Sequence, residues 1–312
     1  RMMEIDPMRP MAFHNYVSLL ITTGRHDEAR RQAEAYFGQV PRSHNESIAF
    51  WQGNIAEGIS WYLKGLPENI ENGDVLQAVH SLTWIGEYAE ARRIDAEMTF
   101  LPDVAAGRFD DAIEVASRNL ELYPEWEQVV VADLANTLYF AGKYQEAMPL
   151  LERFVGLMAL GTWDYFEFHI AWSANEMAMR LAHLKRAAGD EGAADGALQI
   201  VKQDLANLHA AGLEFSWVYR AEAMLAAYEH DLDRMAQALH RVLQNGYRDP
   251  LFFRDPIFGV ARADTRFLAF KQELDAMLRA EREKALQVMC FDNPNPNEWQ
   301  PLPETCEGVK KR

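Results

Sequence analysis

The sequence predicts an all-α protein built from consecutive helix pairs. Three observations lead to this prediction: a recurring turn in which an alanine follows a glycine by five residues, an apolar stripe with helical spacing on both sides of each turn, and a shortage of loop-forming residues. The 312 residues include only 18 Gly and 13 Pro, which is few for a loop-rich β fold. The apolar fraction of 49% supports a sizeable core and excludes wholesale disorder.

The recurring turn marks the boundary between two antiparallel helices. Its glycine allows a tight reversal of the chain, and the small alanine lets the two backbones approach closely. Acidic residues follow the glycine; at a helix N-terminus they cap the helix and would repel phosphate, so these turns are not phosphate-binding loops. Four copies begin at Gly24, Gly86, Gly107 and Gly142.

These turns, together with the spacing of prolines, resemble the tetratricopeptide repeat (TPR), a unit of about 34 residues that forms two helices. Pro7 and Pro41 lie one such unit apart, where the second helix of a unit stops, and residues 128–161 fit a further unit. The resemblance implies a TPR-like right-handed α-solenoid of about six to seven helix pairs, with a C-terminal capping helix and a Pro-rich tail.

The intervening units depart from the regular pattern. Apolar residues at helical spacing predict one long helix over residues 44–64. Residues 87–124 hold two turns in little more than one unit, so one helix there must be short or shared. The helices predicted further along cover residues 164–188 with a partner that ends at Leu208, and then 217–230 and 233–245.

The pattern changes after residue 245, and we divide the chain into repeats over 1–245, a capping segment and helix over 246–289, and a tail over 290–312. The capping segment contains two Asp-Pro steps among aromatic residues, and a final helix is needed because the last repeat would otherwise expose an apolar face. Four prolines prevent the tail from being helical throughout.

The capping segment also resembles the end of the repeat region in bacterial multidomain signalling proteins. In those proteins a winged-helix DNA-binding domain or a class III nucleotide cyclase domain precedes a TPR array. Because the chain begins at Arg1, within the repeat phase, we interpret it as a piece of a longer protein whose effector domain lies upstream. The resemblance implies a regulatory role in signal transduction or transcription regulation.

The charge of the chain argues against direct binding of nucleic acid, and its hydropathy argues against insertion into a membrane. The chain has 31 basic and 47 acidic residues, a net charge of −16, whereas a nucleic-acid backbone is bound by many Lys and Arg side chains. No stretch reaches the roughly 18 apolar residues of a membrane helix, and no signal peptide opens the chain. We therefore expect a soluble segment, with the cytoplasm favoured over the periplasm.

No motif for catalysis, metal binding or nucleotide binding is present. His169, Glu176 and His183 share a helix face but are about 10 Å apart in succession, too far to ligate one metal ion. We therefore predict that the chain is not an enzyme and needs no cofactor or metal.

The binding surface follows from the family resemblance, because the first helix of each TPR pair lines the concave side of the array. The leading hypothesis is a non-catalytic module that binds a protein or peptide there. The alternative is a receptor that encloses a small molecule or signalling peptide among Met179, His183, Trp217 and Met224. Self-association also stays open. The residues predicted to face a partner are Asn136, Tyr139, Phe140, Glu176, Met179, His183, Trp217, Arg220 and Met224.

The two cysteines lie close together near the end of the chain. A bridge between Cys290 and Cys306 would close a loop of about 15 residues and restrain the tail. Two unpaired thiols, as in a cytosolic protein, are the other possibility. Trp299 is expected to anchor the tail against the helices.

Overall fold

The computed structural model describes residues 10–66, 75–95, 100–124, 127–159 and 174–311, and every structural statement below refers to these ranges. Their regular structure is helical and includes no β-strand. The predicted all-α class is therefore confirmed. None of the helices described is both long and apolar enough to cross a membrane.

The helices follow one another as pairs whose two members pack side by side. Seven such pairs occur in the described ranges, and a short turn joins the two helices of each pair. In chain order they are α1 (Pro10–Thr22) with α2 (His26–Phe37), α3 (Arg42–Trp51) with α4 (Ile55–Lys64), α5 (Leu76–Trp84) with α6 (Tyr88–Ile94), α7 (Leu101–Ala106) with α8 (Phe109–Leu122), α9 (Glu127–Phe140) with α10 (Tyr144–Ala159), α11 (Ala174–Ala187) with α12 (Glu191–Ala210), and α13 (Ser216–Tyr228) with α14 (Leu232–Gln244).

The turn within each pair repeats one backbone geometry. The turn residue has a positive φ, its N–H bonds to the carbonyl three residues earlier, and the next N–H bonds to a carbonyl five residues earlier; at Gly24 these bonds reach Ile21 and Leu20. This ending stops the first helix and suits glycine, which has no Cβ to clash. The turn residues are Gly24, Gly53, Gly86, Gly107, Gly142, Gly189 and, in the last pair, His230.

One predicted long helix differs from the structure, and another lies partly outside the described ranges. The single helix predicted over 44–64 is wrong: α3 ends at Trp51, Gly53 turns the chain at φ 76°, and α4 begins at Ile55. The apolar stripe continues across this turn, which is why spacing alone did not show it. Of the helix predicted over 164–188, the structure describes α11 from Ala174, and residues 160–173, including His169, lie outside the described ranges.

The residues after Gly246 turn back along the helix pairs. Residues 247–261, which we call the inner segment, form two short 3-10 helices, Phe252–Arg254 and Pro256–Ala261. Most of their apolar side chains are buried, and Phe252 and Phe258 are 0% exposed. The inner segment contributes to the main core.

The helix that follows, α15 (Thr265–Cys290), connects distant parts of the chain. It packs against α14, the preceding helix, and also against α4 in the second pair. Beside this contact, a Cβ added to Gly53 would lie 2.6 Å from the carbonyl oxygen of Gly246. The second pair and the last pair therefore meet, and we call this contact the clasp.

The C-terminal tail (residues 291–311) lies against the first half of the chain. Cys290 and Cys306 are joined by a disulfide, and the short helix α16 (Pro303–Cys306) ends at the second of them. The Leu302 N–H and the Thr305 hydroxyl both donate to the buried Glu90 carboxylate, at 2.6 and 2.7 Å. Trp299 packs on the core, as expected.

Candidate functional site

The structure brings the nine predicted partner-facing residues together on α9, α11 and α13, which are neighbouring first helices of three successive pairs. It also covers most of them. Seven are buried within the chain, and only Phe140 and His183 are partly exposed. They therefore form no open wall in this structure, and their contact with a partner stays a prediction. The buried ones are Asn136, Tyr139, Glu176, Met179, Trp217, Arg220 and Met224.

The inner segment covers part of this group, including Tyr139 and Arg220. Asp255, 0% exposed, accepts a hydrogen bond from Arg180 Nε at 2.7 Å and from the Tyr139 hydroxyl at 3.0 Å. The proline that follows Asp255 opens the second 3-10 helix, and the Ile257 N–H donates back to the carboxylate at 3.0 Å. The Asp-Pro step noticed in the sequence thus places a carboxylate against two first helices at once.

Arg180 is the centre of a buried polar cluster. Besides Asp255, its guanidinium donates to the Asn136 side-chain oxygen at 2.7 Å and lies 3.5 Å from the Glu176 carboxylate one turn earlier on α11. Arg220 of α13 forms an ion pair with the same Glu176. Burial of charge is compensated only by such partners, so the cluster fixes how α9, α11 and α13 sit against the inner segment.

The Glu176 carboxyl and the Tyr139 hydroxyl of this cluster have shifted pKa values. Burial raises the pKa of Glu176, and the positive charges of Arg220 and Arg180 oppose that shift. Burial, followed by the nearby Asp255 carboxylate, raises the pKa of Tyr139 well above its ordinary value. The Tyr139 hydroxyl therefore keeps its proton and acts as a donor to Asp255.

Arg220 and Trp217, both predicted to face a partner, contact aromatic residues of the chain itself. The Arg220 guanidinium lies 4.0 Å from the ring centre of Tyr247 in the inner segment, a cation–π contact. Trp217 is edge-on to Trp51 of α3, with ring centres 6.0 Å apart. Replacement of these residues would therefore disturb the core as well as any binding.

A cleft remains open beside the buried cluster. It has a volume of about 330 Å³ and lies between α11, α13 and the second 3-10 helix of the inner segment. We call it the His230 cleft. Burial lowers the pKa of His183, while Asp255 raises it and Arg186 lowers it. The cleft is lined by His183, Arg186, Ala187, Ala227, Tyr228, His230, Pro256, Ile257, Gly259 and Val260.

The helix positions that the family resemblance assigns to the concave face include His183, Arg186 and Tyr228. His230 is the polar residue of this region that the sequence did not indicate as a binding residue. His230 carries a local signal, since it stands at the turn position that is glycine in the other six pairs. In the part of the chain that the structure describes, no group of three or more His, Cys, Asp or Glu side chains could hold a metal ion.

The chain gives no match to family models, to curated proteins or to solved structures. The proposal below therefore depends on the helix pairs, the buried cluster and the cleft.

Proposed function

We propose that this chain is a non-catalytic, TPR-like repeat module that binds a protein or peptide segment and forms the regulatory part of a larger bacterial signalling protein. The observation that supports the proposal is the position of the inner segment. It contacts the first helix of five successive pairs, from α5 to α13. The inner segment is thus a stretch of polypeptide that packs on the face that the family resemblance assigns to partners.

The contacts of the inner segment define what this face recognises. Tyr247 meets Trp84 of α5 with ring centres 5.4 Å apart, and Arg254 donates to the Ala105 carbonyl of α7 at 2.7 Å. Asp255 then contacts α9 and α11. A partner segment with an acidic residue between aromatic residues would make the same contacts. Replacement of the inner segment by a partner segment that makes the same contacts should change the net free energy little, although the inner segment must first open locally.

The test uses a peptide of residues 247–261 that carries a photo-reactive benzophenone in place of Phe252. We expect it to cross-link to α11 and α13 of the full chain, and more strongly in Asp255→Asn, because the chain's own segment then loses a charged partner of Arg180. Tyr139→Phe removes a hydroxyl that the chain's own segment and the peptide would both use, so it should change the cross-link less than Asp255→Asn does.

Two controls make this test decisive. Asp264→Asn changes a similar carboxylate that caps α15, outside the inner segment, and should leave the cross-link at the wild-type level. A scrambled peptide of the same composition should not cross-link to α11 or α13. Equal labelling by the scrambled peptide, or no labelling of variants whose circular dichroism is unchanged, would contradict the proposal.

A second candidate is the receptor for a small ligand. The enclosure predicted among Met179, Trp217 and Met224 is occupied by packing, since these side chains are buried. His183, however, lines the His230 cleft, whose volume of about 330 Å³ is at the lower end of the range of small-molecule sites. The cleft is therefore the observation that favours this candidate.

A further inference from the structure

We propose that the His230 cleft binds a carboxylate carried by a small apolar body, with His230, His183 and Arg186 around the anionic group. This inference rests on the second candidate function and names the chemistry of its ligand. It does not require that the inner segment be displaced, because the inner segment forms one wall of the cleft.

The first argument concerns the backbone at His230. It has φ 61°, and it is the one residue other than glycine with a positive φ in the described ranges. Its N–H bonds to Ala227 and the next N–H to Ala226, as at the six glycine turns. A side chain is strained in this conformation, although His tolerates it better than most residues. The backbone conformation at this turn favours glycine, so a histidine at position 230 lowers the stability relative to glycine.

The second argument concerns Arg186, the fixed charge of the cleft. Its guanidinium lies 3.5 Å from the ring centre of Tyr228 and donates to the Tyr228 carbonyl at 3.1 Å. Glu191 lies 3.7 Å from its Nε. These contacts hold the planar group in place and use at most two of its five N–H donors. A guanidinium that is held in place can donate its other N–H groups to the two oxygens of a bound carboxylate.

The third argument concerns the rest of the lining. Ala227 and Ile257 are buried apolar residues, and Val260 is 46% exposed at the rim. Tyr228 is buried, and its hydroxyl has no hydrogen-bond partner among the described residues. A buried hydroxyl without a partner is unfavourable, and a bound ligand could supply one. The lining thus combines cationic and imidazole groups with an apolar floor.

The test separates stability from binding at one position. We expect His230→Gly to raise the midpoint of thermal unfolding, because glycine relieves the strain, and to weaken ligand binding at least several-fold. A purely structural histidine would not give opposite changes. Arg186→Gln should weaken binding without the rise in stability, and His240→Gln, at an exposed histidine of α14, serves as the control.

The probes are benzoate and hexanoate, with their primary amides as neutral controls, and the tripeptide Ala-Ala-Val with a free or amidated C-terminus. Binding is followed by the imidazole NMR signals of His183 and His230. Carboxylates should shift both signals, and amides should not. Saturation by free acids identifies a small molecule as the source of the carboxylate, and saturation by the free tripeptide alone identifies a peptide end.

The proposal is overturned if amides shift the signals as much as acids do, if no carboxylate shifts them, or if His230→Gly leaves the affinity unchanged. These outcomes are read from the imidazole signals of the full chain without the 247–261 peptide, whereas the peptide-binding function is read from cross-linking by that peptide. Failure of the anion site and failure of the peptide-binding function can therefore be told apart.

Discussion

At the scale of single residues, glycine is needed at the turns for two separate reasons, and Gly53 and Gly189 distinguish them. Both have a positive φ, 76° and 80°. A Cβ at Gly189 would meet nothing within 4 Å, whereas a Cβ at Gly53 would lie 2.6 Å from a backbone oxygen. The first glycine serves the turn alone, and the second also permits the clasp.

We expect Gly189→Ala to lower the free energy of unfolding by roughly 1 kcal/mol, the cost of a strained φ. Gly53→Ala should cost roughly 3 kcal/mol or more, because the backbone of the clasp must also move. Urea unfolding of both variants measures the difference. Equal losses would show that the close approach at Gly53 contributes nothing.

Two buried histidines make the stability dependent on pH. Burial lowers the pKa of His44 and of His80 to about 4, with smaller contributions from His14 and Arg220 respectively. In the unfolded chain each titrates near 6.5. Between those values the unfolded state binds more protons, so the stability present above pH 6.5 falls as the pH is lowered towards 4.

We therefore expect the midpoint of thermal unfolding to drop between pH 6.5 and 4, with up to about 3 kcal/mol lost per histidine. His44→Gln and His80→Gln should each flatten this dependence. His240→Gln, at an exposed position, should leave it unchanged. A pH profile that is the same in all three variants would exclude the buried histidines as its cause.

At the scale of elements, the tail is held both by a covalent bond and by hydrogen bonds to α6. The disulfide spans a sequence separation of 16, which corresponds to about 3 kcal/mol of stabilisation. Glu90, 0% exposed, receives hydrogen bonds from Leu302 and Thr305. Loss of the disulfide and loss of the hydrogen bonds to Glu90 should each loosen the tail, but by different amounts.

We expect Cys290→Ser combined with Cys306→Ser to lower the free energy of unfolding by about 3 kcal/mol and to speed amide hydrogen exchange at Leu302 and Thr305. Glu90→Gln should speed the same exchange while the disulfide is intact. Reductant should affect the wild type and not the double serine variant. Unchanged exchange in both variants would mean that other contacts hold the tail.

The sequence predicts some elements much better than others, for physical reasons. The helix pairs are local, and their turns and apolar stripes are visible over a few residues. The break at Gly53 was missed because Trp51 and Ile55 continue one stripe across it. The contact between Arg180 and Asp255 joins residues 75 positions apart, and no local pattern reveals such a pairing. The candidate site depends on that return of the chain, so only part of it was predictable.

At the scale of the whole molecule, the inner segment and the clasp join pairs that are distant in sequence. Repeat arrays usually have only neighbour contacts and can unfold in parts. Here Phe252, at 0% exposure, lies in one continuous core with residues of α4 and α13. The elements that share this core should therefore unfold as one unit, whereas α1 and α2 belong to a separate cluster of buried residues.

We expect Phe252→Ala to cost about 3 to 5 kcal/mol, the usual loss for a buried phenylalanine. Hydrogen exchange should accelerate in both α4 and α13, although these helices lie in different halves of the chain. Leu122→Ala, at a residue 58% exposed, is the control and should change neither. Acceleration confined to α13 would show that the halves are independent.

The clasp has a mechanical consequence. An open row of helix pairs behaves like a spring, whose pitch and length respond to small forces. A row whose second and last pairs touch at Gly53 and Gly246 is instead closed from the second pair onward, and it resists bending because each of those pairs is restrained from both sides. Elastic stretching of the pairs from the second to the last would have to open the clasp first.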